Sequence, residues 1–193
     1  MAKLYFRYST MNAGKSLQLL SVAYNYEENN EKILLFTSSK DDRYKKGMIV
    51  SRTGLKKEAI SIDNNTDIFE IVKNEKDVKA ILVDESQFLN KKHIFQLSDI
   101  VDILNIPVIC YGLRSDFKLN PFEGSKYLMT IADSIEEIKT ICSVCKNKKA
   151  NINVRINNDG NIIKDGEQVQ IGGNESYKPM CRKCYKNIIN SNV

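Results

Sequence analysis

The chain has 193 residues, 42% of them hydrophobic and 27% charged, with a formal net charge of +5. That length buries a full core and fits one domain, or one domain with an appendage, and the composition is that of a soluble globular protein. Lysines are spread along the whole chain, which describes a solvated surface and not a nucleic-acid groove, and no apolar run reaches the length of a membrane span. The start, Met1-Ala2-Lys3-Leu4, lacks the long apolar core of a signal peptide. A cytoplasmic location is therefore expected, with the five cysteines as reduced thiols or metal ligands.

Leu4 to Tyr8 predicts a strand. Ser9-Thr10-Met11-Asn12-Ala13-Gly14-Lys15-Ser16 follows, and an amphipathic stretch begins near Leu17. Strand, tight loop and helix start are the context of a phosphate-binding P-loop. Gly14 lets the backbone turn its N–H groups toward an anion, Lys15 reaches the β- and γ-phosphates, and the Ser16 hydroxyl holds Mg²⁺. Ser9 stands where the usual pattern has glycine. Serine tolerates positive φ less well, so this is the imperfect position in the match.

Leu17, Leu19, Leu20, Val22 and Ala23 give the apolar face of a helix packed on a sheet, ended by the polar string Glu27 to Glu31. Ile33 to Thr37 reads as a strand buried on both faces. Residues 38–57 show no sustained period and predict one long loop, of a length usually reserved for lids or disordered segments. Asp67 to Val72 predicts a helix, Val78 to Asp84 a strand and Phe95 to Leu104 a helix. Ile106 to Tyr111 predicts a buried strand closed by Gly112, Phe122 to Ala132 a helix, and Ile135 to Thr140 a last strand. This alternation predicts an α/β fold over residues 1–141: a P-loop, RecA-like parallel sheet with helices on both faces and the ligand outside the carboxyl ends of the strands.

Ile81-Leu82-Val83-Asp84 is a hydrophobic strand ending in a carboxylate, the form of a Walker B segment. Asp84 would hold Mg²⁺ beside the phosphates. A strand end sends Glu85 to the opposite side, free to take a proton. If the proton comes from water the protein is an ATPase; if it comes from a substrate hydroxyl, a kinase.

Cys142-Ser143-Val144-Cys145 and Cys181-Arg182-Lys183-Cys184 are two C-x-x-C knuckles. Cys142, Cys145, Cys181 and Cys184 match a closed structural zinc site with no open position for chemistry. The gap between the knuckles exceeds usual ribbon spacing, so it predicts an excursion, with β-like pieces at Ile152 to Ile156 and Val169 to Ile171. That segment is too polar to hold its shape by burial, which makes zinc a staple for a small zinc-ribbon-like domain over residues 142–193. Cys110 reads as inert core. His93, beside Lys91 and Lys92, reads as surface.

These motifs occur together: Met11-Asn12-Ala13-Gly14-Lys15-Ser16, Asp42-Arg43-Tyr44, Asp84-Glu85-Ser86-Gln87-Phe88, Tyr111-Gly112-Leu113-Arg114, Ile171-Gly172-Gly173 and Tyr177. With them, the chain from Leu4 to Tyr185 resembles the zinc-containing, type II thymidine kinase family. The resemblance implies transfer of the ATP γ-phosphate to the 5′-hydroxyl of thymidine, and leaves deoxyuridine open as a second acceptor. It places ATP on Ser9 to Ser16 and on Asp84, Glu85, Ser86 and Gln87, with Mg²⁺ on Ser16 and Asp84. Glu85 is then the general base for the 5′-hydroxyl. Arg43 positions that hydroxyl and the moving phosphoryl group, and Asp41 lies near the sugar. Met11, Gln87, Phe88, Leu113, Phe117 and Phe122 wall the base and sugar pocket. Val169, Gln170, Ile171, Gly172 and Gly173 belong to a lasso that runs to Tyr177 and closes over thymine, binding it largely through backbone groups. Gln170 stands where a small apolar residue is frequent, so its side chain is expected to point away from the base.

The resemblance also implies a homotetramer and feedback inhibition by dTTP, with neither membrane nor nucleic acid as a partner. Two other functions compete. A DNA-stimulated P-loop ATPase would grip nucleic acid through Lys146, Lys148, Lys149, Arg182, Lys183 and Lys186. A non-catalytic zinc interaction module would keep only a vestigial nucleotide site. Thymidine-dependent turnover separates all three.

Overall fold

The computed structural model describes residues 1–41, 45–169 and 176–191. In chain order it forms β1 (Leu4–Ser9), α1 (Lys15–Glu28), β2 (Lys32–Ser38), β3 (Met48–Val50), β4 (Lys56–Glu58), β5 (Ile60–Ile62), α2 (Ile68–Lys73) and β6 (Val78–Asp84). A 3₁₀ turn follows at Ser86–Phe88, then α3 (Lys91–Leu104), β7 (Val108–Leu113), α4 (Glu123–Ile131), β8 (Ser134–Glu137), β9 (Ile152–Arg155), β10 (Tyr177–Met180) and α5 (Arg182–Ser191). The central sheet has the order β5-β2-β6-β7-β1-β8, and every pairing in it is parallel.

Strand alternation divides the core between the two faces of this sheet. Phe6, Phe36, Ile81, Val83 and Cys110 point to one side, where Ile68 and Val72 of α2, Ile94, Leu97 and Ile100 of α3, and Leu128 of α4 cover them. Leu35, Leu82 and Tyr111 point to the other, against Leu19, Leu20 and Ala23 of α1 and Ile49 of β3. In β6 only Lys79 reaches solvent, the pattern of a strand enclosed between helical layers. Helices therefore cover both faces, as the strand–helix alternation predicts. Among the described residues no helix is long and apolar enough to cross a membrane.

The P-loop leaves β1 and the acidic turn leaves β6, with the end of β7 between them. Two glycines let these pieces close up. A Cβ on Gly112 in β7 would sit 2.7 Å from Ser86 Oγ, and one on Gly124 in α4 would sit 2.2 Å from the Ser86 carbonyl oxygen. The acidic turn is thus clamped between β7 and the first turn of α4.

Several expectations need correction. Residues 38–57 are not one long loop: Met48–Val50 and Lys56–Glu58 pair antiparallel as a hairpin, seated by Ile49 beneath α1. β5, which the sequence reading does not contain, pairs in parallel with the end of β2. The last sheet strand stops at Glu137 and does not run to Thr140, and Val169 belongs to no strand. His93 is buried, at 2% exposure, and not on the surface. The Asn90 side chain accepts from the His93 N–H at 3.0 Å and starts α3 at Lys91, which turns His93 inward beside Ile94 and Leu97.

The polar segment between the knuckles also holds more apolar structure than expected. Ile152, Val154, Ile156 and Met180 cluster with Cys142 and Cys181 around the antiparallel β9–β10 pair, with Tyr185 and Ile188 of α5 packed on them.

Candidate active site

Sheet geometry brings the two acidic and basic motifs together. The Ser16 hydroxyl donates to Asp84 Oδ2 at 2.8 Å, which joins the start of α1 to the end of β6. Asn12 and Gly14 both have left-handed φ, 65° and 79°, and curl the loop between them. Ser9 needs no such conformation. It is the last residue of β1, and its hydroxyl donates to the Thr10 carbonyl while accepting from Lys15 Nζ at 3.0 Å. Lys15 Nζ also donates to the Thr10 carbonyl at 3.1 Å, so the lysine is folded back on its own loop.

Asp84 and Glu85 diverge for a different reason than strand alternation. β6 ends at Asp84, and Glu85 takes a left-handed φ of 51° at the head of the 3₁₀ turn. The Glu85 N–H donates to Asp84 Oδ1 at 3.0 Å, while its own carboxylate accepts from Gln87 Nε2 at 2.5 Å. Gln87 is itself oriented, because its amide oxygen accepts from the Leu113 N–H at 3.0 Å. With the oxygen committed to β7, the amide N–H₂ end can only face Glu85. Ser86 points inward and donates to the Tyr111 carbonyl, so it braces the turn from beneath and does not reach the cavity wall.

A cavity of about 320 Å³ opens in front of these groups, within the size range of small-molecule sites. Met11, Asn12, Ala13, Gly14, Lys15, Ser16 and Glu85 line it, and so do Gln87, Phe88, Leu113, Phe117, Phe122, Val169 and Tyr177, with Asp41 also on the wall. Phe88 and Phe122 meet edge to face at 5.7 Å. Ser9, Thr10 and Asp84 are buried and are not among the residues that line the cavity. Arg43 and Gln170, Ile171, Gly172 and Gly173 lie outside the described residues. The cavity adds residues that the sequence did not single out: Ser51, Arg52 and Thr53 at the hairpin tip, Asp116, Asn153 and Gln168. Gln168 Nε2 donates to Asp116 Oδ2 at 2.9 Å, and Asn153 Oδ1 accepts from the Met11 N–H at 2.7 Å. No local motif marks these residues; only tertiary folding delivers them.

Burial and the neighbouring Glu85 charge push the Asp84 carboxyl up to about 7, against the opposing pull of the Ser16 hydroxyl. Folded protein therefore holds a proton that the unfolded chain, titrating near 3.8, has released. Stability from this group is lost as pH rises from about 4 to 7. Asp84→Asn is accordingly expected to melt several degrees above the parent at pH 8, with the gap closing toward pH 4, in magnesium- and nucleotide-free protein. A gap that does not vary with pH would refute this.

The Sγ atoms of Cys142, Cys145, Cys181 and Cys184 all lie within 4.8 Å of one another. Burial opposes ionisation of Cys142, but backbone N–H groups at Cys181, Cys145 and Val144 outweigh it and bring the thiol down to about 6. Burial and the neighbouring thiols push Cys184 up to about 12. Four thiolates cannot share this space without a cation between them, and the donor set can hold a metal ion. Cys110 lies apart, buried in β7, and burial pushes its thiol up.

The lysine-bearing loop after β1, joined through Ser16 to the acid-tipped end of β6 across the intervening β7, places the chain among P-loop nucleotide-binding enzymes of the phosphoryl-transfer class. The family profile described as Thymidine kinase matches residues 2–185. A thymidine kinase of Listeria monocytogenes serotype 4b is 55% identical over 97% of this chain and 98% of its own length. Thymidine kinases of Haemophilus influenzae and Mannheimia succiniciproducens are 53% and 51% identical, each over 96% of this chain and 97% and 96% of their own lengths. The chain belongs to the thymidine kinase family.

Proposed function

We propose that the protein transfers the γ-phosphoryl group of ATP to the 5′-hydroxyl of thymidine, giving dTMP and ADP. The observation that carries this reading is the position of Glu85. It is 8% exposed, lines the cavity that the P-loop also lines, and its carboxylate is held by Gln87, which lines the same cavity along with Phe88 and Phe122. In that setting its carboxylate takes the hydroxyl proton as the oxygen attacks phosphorus. Lys15 and the loop N–H groups hold the triphosphate. Ser16 and Asp84 would hold Mg²⁺, which neutralises charge on the phosphates when bound.

Phe88, Phe117, Phe122 and Tyr177 present flat apolar faces suited to a pyrimidine. In this reading Arg43 and Asp41 serve the phosphoryl group and the sugar, and residues 169–177 close over the base. Zinc occupies the four thiols as a structural ion, and the boundary near residue 141 separates the nucleotide-binding part from the metal-binding part. Exclusion of water from Glu85 is what keeps transfer ahead of hydrolysis. A homotetramer, dTTP as feedback inhibitor and a cytoplasmic location complete the proposal.

The test is an ATP-dependent phosphorylation assay across the common nucleosides. Thymidine should give a monophosphate and one equivalent of ADP, with purine nucleosides inert. ADP release that ignores thymidine and responds to DNA would replace this reading with an ATPase.

A further inference from the structure

Arg155 is the most deeply buried cation in the described structure that has no carboxylate partner. It is 2% exposed, and among the described residues no acidic side chain pairs with it. Three of its five N–H groups are nonetheless engaged. Nε and Nη2 donate to the Tyr177 hydroxyl oxygen at 3.1 and 2.7 Å, and Nη1 donates to the Glu167 carbonyl at 2.9 Å. Its carbon centre lies 3.8 Å from the centroid of the Phe117 ring and 5.3 Å from that of Tyr177. Phe117 and Tyr177 both line the cavity.

Burying a cation away from any carboxylate costs stability, and an apolar residue would fill the same space more cheaply. The arrangement makes sense if what Arg155 supplies is geometry. A planar guanidinium can lie flat on one ring and deliver two N–H groups to the edge of another, which an ammonium on a flexible stem cannot do. With both acceptor positions of the Tyr177 oxygen taken, that hydroxyl can act only as a donor. Arg155 and Tyr177 are also directly opposed in the β9–β10 ladder, which leads at Met180 into the cysteine cluster. Arg155 thus ties the Phe117 wall of the cavity to the strand pair that carries the metal-binding unit.

We propose that Arg155 is a positioning residue for nucleoside specificity: it fixes the Phe117 face and the Tyr177 hydroxyl of the base pocket without touching the nucleoside. The proposal rests on the thymidine kinase reading above. Arg155→Lys keeps the charge and loses the flat, two-pronged contact. It is expected to raise KM for thymidine about tenfold or more, the loss that goes with one or two charge-assisted hydrogen bonds. KM for ATP, kcat and the bound zinc should stay within about twofold of the parent.

Tyr177→Phe keeps the ring but removes the oxygen that Arg155 holds. It should raise KM for thymidine too, and Arg155→Lys added to it should cost little more. A lysine variant with parental KM for thymidine, or one that weakens ATP and thymidine equally, overturns the proposal. If the lysine variant fails to fold, Tyr177→Phe decides alone, and a parental KM there overturns it. A parent protein that does not phosphorylate thymidine sinks the functional reading and this inference with it; a parent that turns over beside an unaffected lysine variant sinks this inference alone.

Discussion

Glu85→Gln is expected to lower kcat for thymidine by about 10²- to 10⁴-fold, the contribution of a well-placed general base. KM for ATP and for thymidine should change little. Glutamine has the shape of glutamate, and Lys15, Ser9, Thr10, Ser16 and Asp84 keep their bonds in the phosphate loop. The substitution does turn the hydrogen bond from Gln87 Nε2 into a meeting of two amides. Gln87 cannot flip to relieve it without losing the Leu113 N–H, so the variant amide must present its oxygen to Gln87 and its N–H₂ group to the cavity. A donor then stands where proton abstraction needs an acceptor. Steady-state kinetics over pH 6–9 checks this, and parental kcat in the variant would remove Glu85 from the chemistry.

Metal removal should act at a distance and almost as strongly. Structural zinc in small thiol sites contributes about 10–16 kcal/mol to folding of its unit. Only a small cluster remains beneath it here, with Ile152, Val154, Ile156 and Met180 at its centre. Stripping the ion with a strong chelator is expected to free the thiols of Cys142, Cys145, Cys181 and Cys184 for titration, leaving Cys110 buried and unreactive. The catalytic efficiency with thymidine should then fall about 10²-fold or more, since β9 and β10 carry Asn153 and Tyr177 into the cavity and small misplacements cost that much. ATP binding should survive in weakened form, because the P-loop hangs on β1 and α1. Mass spectrometry of the native protein should find one zinc per chain. Undiminished thymidine turnover by metal-free protein would show that the knuckles do not shape the pocket.

The central strands were legible because they are buried on both faces: Val78 to Asp84, apolar from Ala80 to Val83, reads as a strand and forms β6 over those same residues. The exposed arms were not. Lys56-Lys57-Glu58 carries no apolar signal, and what makes it β4 is backbone pairing with Met48 to Val50, which no side-chain pattern announces. His93 misled for a related reason. The charges at Lys91 and Lys92 suggested solvent, yet the Asn90 cap fixes the phase of α3 so that residue 93 falls on its inner stripe. At the site, Gly14, Lys15, Asp84, Glu85 and the four cysteines act through short local motifs. Asp116, Asn153, Arg155 and Gln168 were invisible, since each does its work through a partner far along the chain, such as Phe117 for Arg155 or Met11 for Asn153.

The hydroxyl at position 9 bears on how a triphosphate enters. Lys15 rests on two oxygens of its own loop, Ser9 Oγ and the Thr10 carbonyl. Glycine at position 9 could offer no side-chain oxygen there. An incoming phosphate therefore meets an ammonium that already sits in a cradle, and the step is a handover from resident oxygens to arriving ones. At no point along that route must a naked cation be stripped of company inside the protein, so a small alcohol group smooths the path by which the nucleotide docks.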